Sequence, residues 1–310
     1  MASFGFDESG SQSEVDPEGT VIHAVVVAYR SAATLRGCVA PLAALPHVTV
    51  TVVDNASPDE SAETVADLPV RLIGAPRNGG FSYGCNLGSA GAAAPYLLFL
   101  NPDARIDAAA LETLVAVLRD DPSVGLVAPR IRDDDGSLSY SLRYFPRLRS
   151  TYAQALFLHR LFPRAPWTDE LIRDESAYEG TKDAEWVSGA CMLVRRSTYE
   201  AIGGFDERFF LYCEDTDLCL RVWRSGLAVR FEPRAEVHHV GGASSGAGET
   251  QAIAARSRVL YARKHLPPAR ARLESLGVAL SEATHVLSSM TRPASRRGHA
   301  KALRAALNRG

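Results

Sequence analysis

No Cys-x-x-Cys pair occurs in this chain of 310 residues, and its five cysteines, at 38, 85, 191, 213 and 219, are scattered and odd in number. That excludes the usual zinc and redox spacings, argues against a disulfide framework and fits a reducing, cytoplasmic setting. No apolar run approaches the ~18 residues that a membrane-crossing helix needs, and the polar, acidic start is unlike a secretory signal. No GxGxxG is present: Gly79, Gly80, Gly84 and Gly88 have the wrong spacing, which counts against a nicotinamide-dependent oxidoreductase. Nor is there an excess of one charge; a formal net charge of -2 supplies no basic field for nucleic acid.

What is present is ordinary globular material, 46% hydrophobic and 23% charged, enough for one large α/β core. Its charge is unevenly placed. Residues 1–19 carry five acids and no base, and are expected to be a disordered leader. Residues 292–310 carry six Lys or Arg and no acid, and are expected to be a basic tail. Between them, strand and helix patterns alternate. Strands are predicted at 23–29, 48–53, 70–73, 96–100 and 124–128, and helices at 32–45, 59–67, 80–93 and 108–119. Such alternation implies a mainly parallel sheet with its ligands at the carboxyl ends of the strands. Residues 130–185, rich in Arg, Pro, Tyr and Phe, read as a long connection lining a site. A strand is predicted at 186–194, a helix at 214–225, short strands at 227–231 and 235–240, and helices at 249–265 and 269–290.

Five clusters carry possible chemistry. Val53-Asp54-Asn55-Ala56-Ser57 ends a strand in an acid and turn formers, so Asp54 either caps a helix or accepts a hydrogen bond from a nucleotide base. In Asn78-Gly79-Gly80-Phe81, the glycines before a helix let backbone approach a ligand, and the helix start attracts phosphate. Leu98-Phe99-Leu100-Asn101-Pro102-Asp103 leaves Asp103 at a strand's carboxyl end, either as a turn residue or as an oxygen donor to a hard cation. Glu214, Asp215 and Asp217 crowd a helix start behind an aromatic stretch. The helix dipole alone would favour acids there, by ~0.3–1 kcal/mol each, and Asp217 has an i+4 partner in Arg221. Packing against the apolar stretch would instead raise one pKa, as a general base requires. Trp186, Phe209, Phe210 and Tyr212 are either core or a hydrophobic wall for an acceptor. Finally, His238 and His239 are adjacent on a strand and face opposite ways, so at most one reaches a given metal.

In this order, the segments VVVAYRS, VDNASPDES, NGGFSYGCNLG, LFLNPDA, WVSGACMLVRR, GGFDERFFLYCEDTDLCLRVWRSG and HHVGGASS resemble the family-2 glycosyltransferases of the GT-A fold. The resemblance runs over about 21–245. Within the family, NPD in place of the commoner DxD, the stretch APRIRDDDGSLSYSLRYFPRL and the basic C-terminus look most like the bacterial rhamnosyltransferases, some of which put L-rhamnose onto polyprenyl-diphosphate-linked GlcNAc.

The resemblance implies an α/β GT-A domain over 20–245, a Rossmann-like nucleotide-binding sheet merged with an acceptor-binding half, followed by a basic helical segment over 246–310. It implies inverting transfer from a nucleotide-diphosphate sugar such as dTDP-L-rhamnose, with Mg2+ or Mn2+. Tyr29, Asp54, Asn78, Gly79, Gly80, Asn101 and Asp103 would hold the donor, and Asp103 with one of the histidines the metal. His239 is favoured by its spacing to Gly242 and Ser244. Asp215 would be the catalytic base, and Trp186, Glu214 and Asp217 would meet the acceptor. The basic tail would dock on an anionic membrane at the inner face of the cell membrane. Two rival readings are a family-2 enzyme using a galactofuranosyl, mannosyl or glucosyl donor, and a non-catalytic sugar-nucleotide-binding module.

Overall fold

The computed structural model describes residues 21–162, 165–239, 247–289 and 293–307. The acidic leader, the Gly- and Ser-rich run 241–245 and Arg309 lie outside them.

The first half follows the alternation of the sequence: β1 (Ile22–Ala28), α1 (Leu35–Ala43), β2 (Val48–Asp54), a 3-10 turn (Glu63–Val65), β3 (Arg71–Gly74), α2 (Phe81–Ser89), β4 (Tyr96–Leu100), β5 (Ala104–Ile106), α3 (Ala108–Asp120) and β6 (Val124–Arg132). The connection after β6 carries short elements of its own. These are β7 (Leu138–Ser139), β8 (Leu142–Arg143), α4 (Leu148–Ala155), α5 (Leu158–Leu161), a 3-10 turn (Glu175–Tyr178) and β9 (Lys182–Asp183). Then come β10 (Trp186–Val187), β11 (Cys191–Arg195), α6 (Arg196–Ala201), α7 (Glu214–Arg224), β12 (Ala228–His239), α8 (Ala247–His265), α9 (Pro268–Ser288) and α10 (Pro293–Leu307).

The main sheet runs β3-β2-β1-β4-β11-β6-β12-β5. Strands β3, β2, β1 and β4 are mutually parallel, whereas β11 lies antiparallel between β4 and β6. The sheet is therefore mixed rather than mainly parallel. β1 has β2 on one side and β4 on the other, so the chain's order reverses there. The crevice outside their carboxyl ends is where an open α/β sheet takes a ligand.

Alternation along the strands divides the core into two layers. Ile22, Ala24 and Val26 of β1 face α1 and α3, against Leu35, Leu42, Leu111 and Leu114. Val25 and Val27 face the other way, toward Cys85 of α2 and Leu218, Cys219 and Val222 of α7. Phe99, fully buried in this second layer, packs edge-on to Phe205 at 5.1 Å and tilted against Tyr199 at 5.0 Å. Such ring pairs add ~0.5–1.5 kcal/mol beyond the area they bury.

Three segments depart from the periodicity. The strand expected over 186–194 is broken at residues 188–190. The two strands expected at 227–231 and 235–240 are one, with its register shifted between Glu232 and Glu236. Pro233 lies in that shift, where its missing N–H breaks the ladder at no further cost. The tail is a helix: Ala302 and Ala306 of α10 are buried against α8 and α9.

Candidate active site

Three strand ends build the first wall. β2 ends in Asp54, whose Oδ1 accepts from the Ser57 N–H at 3.1 Å. Burial pushes the Asp54 carboxyl upward. The neighbouring Asn55 was not singled out by the sequence, yet it organises the glycine loop. Its Nδ2 donates to Asn78 Oδ1 at 3.0 Å and to the Gly80 carbonyl at 3.1 Å, and its Oδ1 accepts from the Gly79 N–H at 3.1 Å. Asn55 is buried, so no water can replace those partners and the amide must be Asn. Gly80 has φ +88, and a Cβ there would lie 2.1 Å from the Phe210 carbonyl oxygen. Only glycine lets the Phe81 N–H reach that carbonyl, at 2.8 Å. The glycine loop is thereby bonded to the aromatic stretch ahead of α7. Tyr29, half-buried, stands at the end of β1.

β4 ends in Asn101, Pro102 and Asp103. β12 pairs with β5 so that His239 lies opposite Ala104 and His238 opposite Arg105. Alternation then sends the two imidazoles apart. His239 Nε2 comes to 3.1 Å from Asp103 Oδ1 and 3.3 Å from Asn101 Nδ2, while His238 is exposed. A carboxylate, an imidazole and an amide thus converge on one point. Turned over, the amide would present its oxygen there. Among the described residues no third acid, thiol or imidazole closes a cage. Such an open donor set fits a divalent cation that takes its remaining ligands from a diphosphate.

The other wall is α7. Tyr212 and Cys213, just before it, both have positive φ, 67 and 64. Two consecutive left-handed non-glycine residues cost on the order of 1–3 kcal/mol each. The hydrogen bonds of their neighbours hold them: Phe81 N–H on the Phe210 carbonyl at 2.8 Å, Ser257 Oγ on the Leu211 carbonyl at 2.8 Å, and Asp217 N–H on the Cys213 carbonyl at 2.8 Å. The segment delivers Glu214 and Asp215 to a cavity of about 480 Å3. Asp215 Oδ1 accepts from the Thr216 N–H at 2.7 Å, and Oδ2 accepts from the Gly189 N–H at 3.1 Å. That second bond falls in the break between β10 and β11, where a Cβ on Gly189 would lie 3.4 Å from the Asp215 Cβ. Burial raises the Asp215 carboxyl, opposed by these N–H groups and by Arg143.

Glu214 is more deeply buried and its Oε2 has no partner. Burial, then the neighbouring Asp215, pushes it well above the usual carboxylate range. Two adjacent acids in one dry site do not both ionise. Burial raises both carboxyls, but Asp215 has the N–H groups of Thr216 and Gly189 to oppose the rise, which favours the proton on Glu214.

Trp186 lines the same cavity, its Nε1 donating to the Tyr144 carbonyl at 2.9 Å. Of the other expected wall residues, Tyr212 is exposed at the cavity and Phe210 is exposed beside the glycine loop, whereas Phe209 is core.

Asp217 departs from the expectation that it meets the acceptor. It is fully buried on the far side of α7, where Oδ2 takes Arg221 at 2.7 Å and Oδ1 takes Lys264 at 2.5 Å and His265 at 2.6 Å. It ties the end of α8 to α7, and despite burial its hydrogen bond to His265 and the Arg221 and Lys264 cations hold its carboxyl below the usual range. A lowered native pKa means stability that is present above the ordinary aspartate range and lost as pH falls through the native value. Asp217→Asn leaves these cations facing a neutral amide and is expected to cost about 3–5 kcal/mol. A thermal melt near neutral pH checks this; an unchanged midpoint would contradict the stabilising tie.

The cavity's remaining wall comes from residues the sequence did not single out. Arg258 of α8 binds Glu170 and Glu274, and the Thr151 hydroxyl donates to Glu274 at 2.6 Å. Val278, Ser281 and Glu282 of α9 complete it. Only the aromatic and basic texture of 130–185 hinted at this wall.

A family model described as "Glycosyl transferase family 2" matches residues 23–203, and one described as "N-terminal domain of galactosyltransferase" matches 172–241. The chain is 32% identical over 256 residues to the N-acetylglucosaminyl-diphospho-decaprenol L-rhamnosyltransferase of Mycobacterium tuberculosis, covering 78% of this chain and 83% of that one. It is 34% identical over 145 residues to the rhamnosyltransferase WbbL of Escherichia coli, covering 46% and 52%. Among solved structures it is similar to the mannosyltransferase PcManGT from Pyrobaculum calidifontis in complex with GDP-Man and Mn2+. The TM-score is 0.57 at 17% identity, covering 92% of this chain and 85% of that one.

Proposed function

The chain belongs to glycosyl transferase family 2 and has the GT-A fold, and on that premise we propose that it moves L-rhamnose from dTDP-L-rhamnose, with inversion, onto a hydroxyl of a polyprenyl-diphosphate-linked glycan in cell-wall or polysaccharide assembly. The sugar and the acceptor are taken from what the relatives are named for, and the dTDP carrier from the family resemblance of the sequence. The observation that carries the reading is a cavity lined both by the half-buried Asp215 and by Asn101, which contacts the His239 imidazole paired with Asp103.

Tyr29, Asp54, Asn78, Gly79 and Gly80 line the nucleotide end. Asp54 accepts a hydrogen bond from the base, and the glycine loop lets backbone approach the diphosphate. Asp103 and His239, with Asn101, would hold Mg2+ or Mn2+, which neutralises charge gathering on the departing nucleoside diphosphate. Asp215 accepts the proton of the acceptor hydroxyl as that oxygen attacks the anomeric carbon. The bond to the diphosphate breaks on the opposite face, so one displacement inverts the centre. Glu214, protonated, donates a hydrogen bond to the acceptor, and Trp186 supplies an apolar plate for a sugar ring. Incubating the protein with dTDP-L-rhamnose, Mn2+ and a polyprenyl-diphosphate-linked GlcNAc tests this: nucleotide release without a rhamnosylated product would reject it.

No described helix is long and apolar enough to cross a membrane. We propose that the protein works at the cytoplasmic face of the cell membrane by peripheral docking. The exposed side of α10 presents Arg296, Arg297, Lys301 and Arg304 without an acid, and the adjoining α9 leaves Leu276, Leu280 and Leu287 exposed. Each basic residue near an anionic bilayer contributes ~1 kcal/mol, and the attraction weakens with salt. Co-sedimentation with anionic vesicles is expected at low salt and release at high salt. Replacing the four basic residues by Glu should abolish binding and spare transfer to a short, water-soluble acceptor. Undiminished co-sedimentation of that variant would contradict the docking.

A further inference from the structure

Two cations line the active-site cavity, Arg143 and Arg258. Arg258 is spent: Glu170 takes it through both oxygens, Glu274 through one. Four other arginines of the 130–175 stretch are spent as well, Arg130 and Arg132 on Glu236, Arg147 on Glu185 and Arg173 on Asp169, and Arg149 and Arg160 do not line the cavity.

Arg143 differs. Its guanidinium lies 5.2 Å from the centre of the Trp186 ring, and among the described residues it has no hydrogen bond or ion pair. Its backbone is fixed on both sides, by the β8–β10 pairing opposite Trp186 and by a bridge to Leu171. A cation is thus held over an indole with its N–H donors free. Apart from the Arg258–Glu170 pair, the acids around it in the cavity are Asp215, Glu282 and Glu214, the last of which favours its proton. An acceptor bearing a phosphate could not enter past those acids without a cation that still has donors to give.

We infer that Arg143, stacked on Trp186, is the subsite for a phosphate or diphosphate carried by the acceptor sugar. The inference rests on the proposed sugar transfer and deepens it by assigning the residue that meets the phosphate at the reducing end of the acceptor sugar. The sugar then spans from Asp215, which meets its hydroxyl, to Arg143, which meets its anionic end. Arg143 binds and positions; it takes no proton.

The test uses the full chain with Mn2+ and saturating dTDP, which fills the donor side, and reads binding by calorimetry. The probes are a short-alkyl GlcNAc diphosphate and the matching uncharged alkyl GlcNAc glycoside. Arg143→Gln is expected to weaken the diphosphate probe about 10- to 100-fold, the loss of a charge-assisted, forked hydrogen bond, and to leave the glycoside unchanged. Arg143→Lys should recover part of the loss. Equal weakening of both probes, or equal affinity of variant and wild type for the diphosphate, would overturn the subsite. So would a wild-type protein that binds the uncharged probe as tightly as the diphosphate.

Two further readouts accompany the binding test. Arg143 opposes the rise of the Asp215 carboxyl, so the acid limb of the kcat profile should move upward in Arg143→Gln with either kind of acceptor, and the subsite is judged by the selective loss of the diphosphate probe. Wild-type transfer to the diphosphate acceptor is measured alongside. Its absence with probe binding intact would reject the proposed reaction and leave the anion subsite standing.

Discussion

Asp215→Asn is expected to lower kcat by at least ~100-fold while donor affinity stays within a few-fold of wild type. The substitution is nearly isosteric. Its amide oxygen can still accept from the Gly189 or Thr216 N–H, so the loop and the cavity should keep their shape. What disappears is the proton acceptor. The pH profile carries the same signature. Burial raises the Asp215 carboxyl, so the acid limb of kcat/KM should lie above the ordinary aspartate range, activity falling as the base is protonated. Glu214→Gln should be much milder, because a carboxyl that already holds its proton loses no charge to the amide. Steady-state kinetics over pH on both variants check this. A fast Asp215→Asn enzyme beside a dead Glu214→Gln enzyme would exchange the two roles.

Asp103→Ala is expected to abolish metal-dependent donor binding, at a loss of about 100-fold or more in nucleotide-sugar affinity, with the fold intact. Among the described residues the Asp103 side chain is bonded to His239 alone, so removing it breaks no other hydrogen bond or ion pair. His239→Ala should weaken the same binding and its sensitivity to EDTA. His238→Ala should not, since that imidazole faces outward from the sheet. Calorimetry with dTDP-L-rhamnose and Mn2+, with and without EDTA, reads all three. Unchanged affinity and unchanged EDTA sensitivity in Asp103→Ala would remove it from the metal site.

The half of the site that sits at strand ends was legible because each strand prints its own boundary. Val48–Val53 ends in Asp54 and Leu97–Leu100 in Asn101, and a parallel sheet brings such ends to one crevice whatever the loops do. Opposite faces for His238 and His239 followed from the pleat; which of them turns to Asp103 was set by the β5–β12 register, which spacing alone does not encode.

The acceptor half was less legible, because it is assembled from residues far apart in sequence. Arg258 meets Glu170 across 88 positions, and Ser257 fixes Leu211 across 46. No local pattern records such pairs. Asp217 was misread for a related reason. At a helix start three acids look alike, and only the arrival of Lys264 and His265 from α8 turns one of them into a buried tie. The break at residues 188–190 was hidden by an apolar run whose interruption serves Asp215 rather than the sheet. Asn55 was overshadowed by the charged Asp54 beside it, though its amide makes three hydrogen bonds to the glycine loop.

The central claim is a single displacement at the anomeric carbon, with Asp215 as base. Its most direct test is the anomeric configuration of the product that the full chain makes from dTDP-L-rhamnose, Mn2+ and a GlcNAc-diphosphate acceptor, read by NMR. The predicted result is a glycoside of configuration opposite to that of the donor, with one dTDP released per sugar transferred and neither formed at an appreciable rate by Asp215→Asn. A product that retains the donor's configuration, or full transfer by Asp215→Asn, would contradict it.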